Sequence, residues 1–139
     1  MERDEWGPYA WQVHPQTVDA FNIASENKII CPAALLQAPE FDPAADPAVS
    51  YGGMGAVIGH EISHGFDDQG RKIDASGRVR DWWTAEDAAR YRREADKLVQ
   101  QVNTYEILPG VHLNGQQTLA ENIADVAGSL WRSRLITSL

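Results

Sequence analysis

The sequence predicts an α+β fold that is predominantly helical, with only minor β-strands. Three observations carry that expectation. Tyr91, Ala95, Leu98, Val102 and Tyr105 recur at alternating spacings of four and three, the single buried stripe of an amphipathic helix. A second segment, residues 54–66, sets Val57, Ile58 and Ile62 on one apolar helical face with two histidines to one side. Runs of strand character are short, chiefly Asn27 to Cys31.

Taken in order, the first 27 residues carry Trp6, Tyr9, Trp11 and Phe21 without a sustained period and read as loop with short pieces of structure. Asn27 to Cys31 reads as an edge strand, because Pro32 cannot continue a hydrogen-bonded ladder. Ala33 to Gln37 is expected to make a helical turn. Three prolines (39, 43 and 47) and Gly52-Gly53 mark residues 39–53 as an irregular connection. The helix over 54–66 is ended by Gly65 and the turn-prone Asp67-Asp68-Gln69-Gly70. Residues 71–74 and 79–82 flank an Ala75-Ser76-Gly77 turn and are expected to pair as a small hairpin. Thr84-x-x-Asp87 is a helix N-cap. The helix it opens sets Glu86 with Arg90, Arg90 with Glu94, and Arg92 with Asp96 at i,i+4, the pattern of a solvated face. Pro109-Gly110 and Asn114-Gly115 are turns on either side of extended residues 111–113, and a last helix begins near Thr118.

Composition narrows the function. A chain of 139 residues is the size of one domain, and 43% hydrophobic with 23% charged residues is ordinary for a globular one. Twenty acidic against 12 basic residues give a net charge of -8, which repels phosphate backbones and anionic lipid. Nucleic acid and membrane surfaces are therefore poor partners. Met1-Glu2-Arg3-Asp4-Glu5 is charged where a signal peptide would be apolar, so nothing in this chain is expected to direct its export. The single cysteine, Cys31, lies among Ile29, Ile30 and Pro32 and reads as a small buried apolar residue.

The chemistry centres on His60-Glu61-Ile62-Ser63-His64. Two histidines four apart share a helix face and can reach one metal ion, while Glu61 beside them can hold a water without being a ligand. A catalytic zinc site needs a third protein ligand. Glu121 and Asp125 are four apart on the last helix and would share a face. Spacing leaves Glu121 open to two readings, metal ligand or capping-box partner of Thr118. His14 and His112 read as ordinary surface or hydrogen-bonded histidines.

Several ungapped blocks, in order, extend the motif: residues 27–39 (NKIICPAALLQAP), residues 51–70 (YGGMGAVIGHEISHGFDDQG), Asp81-Trp82-Trp83-Thr84, and Glu121-Asn122-Ile123-Ala124-Asp125. Together they resemble the neprilysin-type zinc metallopeptidases, from about Arg3 to Gly128. The resemblance implies a thermolysin-like zincin core with the metal between two helices. It implies one Zn2+ held by His60, His64 and Glu121, a zinc-activated water with Glu61 as general base, and Asp125 orienting His60. Peptides would be the substrates, with Asp19 and Ala20 matching the positions that hold the substrate backbone. Residues 1–139 would be a single region, the zinc-binding part of a neprilysin-like catalytic domain, with its N-terminal lobe and C-terminal end absent. An extracytoplasmic location, membrane-anchored, periplasmic or secreted, is the family expectation.

The chain also departs from the pattern. Asp19 stands where the family has asparagine, and an ionised aspartate has lost the NH2 donor. Trp11-Gln12-Val13-His14 interrupts the usual spacing before Pro15. Residues 129–139 depart from the family's continuing helix, the expectation for a truncated or frame-shifted gene product. The alternative function is thus a truncated zinc-binding fragment without peptidase activity. A nucleotide-binding reading of Gly52-Gly53-Met54-Gly55 fails, because no third glycine follows at the required spacing and no clear strand precedes.

Overall fold

Two short strands open the described part of the chain, residues 13–137 of a computed structural model. Strand β1 (Phe21–Ile23) pairs antiparallel with β2 (Lys28–Ile30), Phe21 opposite Ile30 and Ile23 opposite Lys28. The expected strand at Asn27 to Cys31 is β2. Its partner β1 is one of the short pieces of structure expected within the first 27 residues. The return between them is a 3-10 turn, Ala24–Glu26, closed by Asn27 at φ 48°, a left-handed conformation that asparagine tolerates. Trp6, Tyr9, Trp11 and the charged first residues lie outside the described region. Residues 33–35 form the expected turn, with Leu35 N–H on the Pro32 carbonyl.

The connection over 39–53 is less irregular than expected, because it contains helix α1 (Pro47–Gly52). Pro47 starts that helix instead of breaking it. At a first helical position its missing N–H costs nothing, and the Asp46 carboxylate accepts the Ala48 N–H at 2.8 Å.

Helix α2 (Met54–Ser63) stops short of Phe66, with His64 as its C-cap. Of the expected apolar face, Val57 packs against the core, but Ile58 and Ile62 do not. Ile58 and Ile62 are 37% and 48% exposed, whereas Gly59, Glu61 and Ser63 are buried. Helix α3 (Ala85–Val102) begins where expected, with the Thr84 hydroxyl accepting the Asp87 N–H at 3.1 Å. Its stripe buries Ala88, Ala95 and Val102, but Tyr105 lies past the helix end and is exposed. Glu86 pairs with Arg90 as anticipated, while Glu94 takes Lys97 in place of Arg90. Strands β3 (Glu106–Leu108) and β4 (Val111–His112) form an antiparallel hairpin around Gly110, whose φ of 75° suits glycine.

The hairpin expected over 71–82 reduces to one bridge, Ile73 to Val79, because residues 70–72 curl into a 3-10 turn. Helix α4 (Leu119–Ile136) is the last element.

The crossing of α4 on α2 accounts for the burial of the small-residue side of α2. A Cβ on Gly128 would lie 2.5 Å from the Ala56 carbonyl oxygen, and one on Gly59 would lie 3.1 Å from the Gly128 Cα. Such an approach of two backbones admits only the small side of α2 and turns Ile58 and Ile62 outward. Ala124, between Glu121 and Asp125, is fully buried at the crossing. A small apolar cluster of Ala20, Leu35 and Met54, with Cys31 and Val57 against it, ties the strands to α2. The fold is α+β and predominantly helical. Among the described residues, no helix is long and apolar enough to cross a membrane.

Candidate metal centre

The α2–α4 crossing brings four of the predicted residues together. His60 Nδ1 lies 2.9 Å from Asp125 Oδ1, and His60 Nε2 lies 3.3 Å from Glu121 Oε2. The His64 Nε2 is 3.0 Å from the His60 Nε2 and 3.7 Å from Glu121 Oε2. Glu121 therefore faces the histidines and does not close a capping box. The Thr118 N–H instead donates to the Asn114 carbonyl, and the Thr118 hydroxyl accepts from Asn122 Nδ2 at 2.7 Å.

Sequence reasoning missed Asp67. Its Oδ2 lies 2.8 Å from His64 Nδ1, and its Oδ1 accepts the Gln69 and Gly70 N–H groups at 2.8 and 2.7 Å. Asp67 is 3% exposed. The signal was present, an aspartate three residues past the second histidine, but in sequence it was indistinguishable from ordinary turn chemistry. Gly70 seals the arrangement, since a Cβ there would meet the His64 carbonyl oxygen at 1.7 Å.

Proton placement follows from these contacts. An ionised carboxylate only accepts, so both histidines must donate from Nδ1, to Asp125 and to Asp67. In the neutral imidazole so held, Nε2 carries the lone pair a metal needs. The two Nε2 atoms and a Glu121 carboxylate oxygen converge within 4.8 Å of one another. With both imidazoles neutral these are three acceptors, an arrangement that a bound cation would stabilise. A tetrahedral zinc with ligands at about 2.0–2.2 Å separates neighbouring donors by about 3.3–3.5 Å. The observed 3.0, 3.3 and 3.7 Å bracket that spacing, so the residues fit the group.

Glu61 stands beside this set. It is buried, and burial pushes its carboxyl above the ordinary range; the two histidines oppose the shift, while Asp19 and Glu121 add to it. Its backbone carbonyl accepts from Asn22 Nδ2 at 2.8 Å, which ties β1 to α2. Asp19, Ala20, His60, Glu61, His64 and Glu121 line one cavity of about 470 Å³. Asp19 is exposed there and accepts the Ala20 N–H at 2.9 Å, whereas the Ala20 side chain is buried in the apolar cluster. A larger hollow of about 710 Å³, bounded by Ile29, Phe66, Ile73 and Trp82, adjoins it but includes none of the histidines, Glu61 or Glu121. His14 and His112 are both exposed and outside the cluster.

Residues 19–132 match the sequence profile of peptidase family M13. The chain belongs to peptidase family M13. Its M13 relatives include rat endothelin-converting enzyme 1, 41% identical over 118 residues that make up 85% of this chain and 15% of that protein. Human neprilysin is 41% identical over 130 residues, 92% of this chain and 17% of neprilysin. The fold is likewise similar to solved structures. The zinc metalloprotease Zmp1 of Mycobacterium tuberculosis, in complex with an inhibitor, superposes with a TM-score of 0.85 at 44% identity, covering 99% of this chain and 22% of that one. PepO from Lactobacillus rhamnosis HN001 superposes with a TM-score of 0.87 at 34% identity, over 92% of this chain and 20% of its own. The chain thus spans about a sixth of the length of these curated M13 relatives.

Proposed function

We propose that this chain is the zinc-binding part of the catalytic domain of a zinc-dependent metalloendopeptidase acting on oligopeptides. The observation that carries the reading is the convergence of His60 Nε2, His64 Nε2 and a Glu121 carboxylate oxygen at the spacing of a small tetrahedral cation, with each histidine Nδ1 engaged by a carboxylate. His60, His64 and Glu121 would hold one Zn2+. When bound there, zinc would supply Lewis-acid polarisation of a peptide carbonyl and acidify water.

Every other role falls to the protein. Glu61 accepts a proton from the attacking water and later delivers it to the leaving amine; its burial supports that role by favouring the protonated acid it must become. Asp125 and Asp67 hold the imidazoles with Nε2 free. Asp19 and Ala20 border the cavity and are assigned to the substrate backbone, Asp19 as acceptor only.

A second reading, zinc binding without hydrolysis, draws on one observation. The Glu121 and Asp125 side chains are 67% and 74% exposed, whereas peptidase chemistry is favoured where water is excluded. Zinc stoichiometry and chelator-sensitive peptide hydrolysis, measured for wild type and Glu61→Gln, separate the two. The expected outcome is one zinc in both proteins with hydrolysis only in wild type. Equal hydrolysis by both would remove Glu61 from the mechanism, and zinc without hydrolysis in wild type would establish the second reading. Undiminished zinc affinity in Glu121→Ala would remove Glu121 from the site.

A further inference from the structure

Arg71 is a half-buried cation with no ion pair among the described residues. Two aromatic rings hold it instead. Its guanidinium lies 5.8 Å from the centre of the Trp83 ring and 5.2 Å from that of Tyr91, both within cation–π range. The rings brace each other edge to face at 5.5 Å and 81°. Arg71 Nε, Trp83 Nε1 and Tyr91 OH are buried with no protein partner among the described residues, so ring faces, not hydrogen bonds, fix the guanidinium.

That grip reaches the candidate metal centre in two short steps. The Arg71 N–H donates to the Asp67 carbonyl at 3.2 Å, and the preceding residue, Gly70, both donates to Asp67 Oδ1 and abuts the His64 carbonyl. The same turn presents Asp67 Oδ2 to His64 Nδ1. The region is also electrically continuous: burial, then Asp68 and Asp67, push the Tyr91 phenol upward, and Arg71 opposes them.

We propose that Arg71 is a positioning residue for His64. Tyr91 on α3 and Trp83, just ahead of that helix's N-cap, grip its guanidinium and so hold the 67–70 turn, and with it Asp67, against the end of α2. Trp83 and Tyr91 become part of the support of the site although neither touches it. This inference rests on the metal reading above.

The test uses the full chain as wild type, Arg71→Ala, Arg71→Lys, Asp67→Asn and the Arg71→Ala/Asp67→Asn double variant. Zinc affinity is measured by chelator competition, the geometry of the site by the visible spectrum of the Co2+ form, and thermal unfolding on the metal-free proteins. Arg71→Ala is expected to weaken zinc binding about tenfold, the low end for an outer support, and to alter the Co2+ spectrum. Arg71→Lys, which keeps a cation for the rings, is expected to restore most of both. In the double variant Arg71→Ala should add little to the loss from Asp67→Asn, because it acts through Asp67. Wild-type zinc affinity and Co2+ spectrum in Arg71→Ala, whatever its melting temperature, overturn the proposal, as do losses that multiply in the double variant. If Arg71→Ala does not fold, Tyr91→Leu carries the same expectation and the same refutation. Absence of zinc binding in wild type would instead overturn the metal reading itself, and this inference with it.

Discussion

The surroundings of His60 and His64 differ although the two residues are one helical turn apart. His60 is held by Asp125, 65 residues away on α4, with its side chain 74% exposed. His64 is held by Asp67, three residues on, with its side chain 5% exposed and its second oxygen engaged by two backbone N–H groups. The orientation of His60 therefore depends on how α4 docks, and that of His64 on a local turn. Supports of opposite sequence range give the site two independent modes of failure.

The largest break should come from the crossing. Gly128→Val puts side chain into the Ala56 carbonyl and drives α4 from α2, taking Glu121 and Asp125 together. Zinc affinity by chelator competition should fall by more than the roughly 100-fold that marks the upper end for one outer carboxylate. In proton NMR the His60 Nδ1–H signal should vanish while that of His64 persists. Loss of both signals would mean that the two halves are coupled.

Next comes a direct comparison of the carboxylates. Asp67→Asn should cost about 100-fold in zinc affinity and Asp125→Asn about tenfold, because water competes for the exposed carboxylate and is kept from the buried one. Equal losses would erase the distinction. Stability should separate them again. Asp67→Ala leaves two backbone donors of the 67–70 turn without their acceptor, at about 1–3 kcal/mol for each that stays dry. Urea unfolding should register that loss and register almost none for Asp125→Ala.

The smallest effect concerns the α3 side of the His64 support. The Tyr91 phenol is raised, first by burial and then by Asp68 and Asp67, so the folded chain holds this proton more tightly than the unfolded chain. The stability it contributes is full below the unfolded value, about 10, and is lost as pH rises past it. Urea midpoints between about pH 9 and about pH 11 should decline more steeply in wild type than in Tyr91→Phe. Parallel declines would place Tyr91 in an ordinary environment.

The elements that sequence anticipated are those whose cause is local. Thr84 caps α3 because a hydroxyl three residues before an amide is enough. The edge strand ended by Pro32 and the turn at Gly110 follow from single residues in the same way. Failures arise where a partner decides. Val57, Ile58 and Ile62 read as one core face because periodicity treats one helix at a time, whereas with Gly59 set against Gly128 only Val57 of the three meets the core. The place of strand β1 is set by β2 returning beside it, and Pro47 reads as a breaker until Asp46 is seen capping the helix it begins. Within the candidate site, Glu121 and Asp125 were found by helical spacing and by resemblance to known blocks. Asp67 escaped because it lies past the end of α2, where helical spacing no longer applies.

The contact between Gly59 and Gly128 has a further consequence, for the size of ion the chain can accept. Two helix backbones already touching form jaws that cannot close further, and opening them means unpacking Ala124 from its buried position. The donors they carry are thereby kept near the spacing of a small tetrahedral ion. A calcium ion wants about six to eight oxygens at about 2.3–2.6 Å, which this gap could supply only by parting the helices. If the three residues hold a metal as proposed, the depth of the helix crossing, well behind the side chains that would meet it, would favour a small cation over a large one.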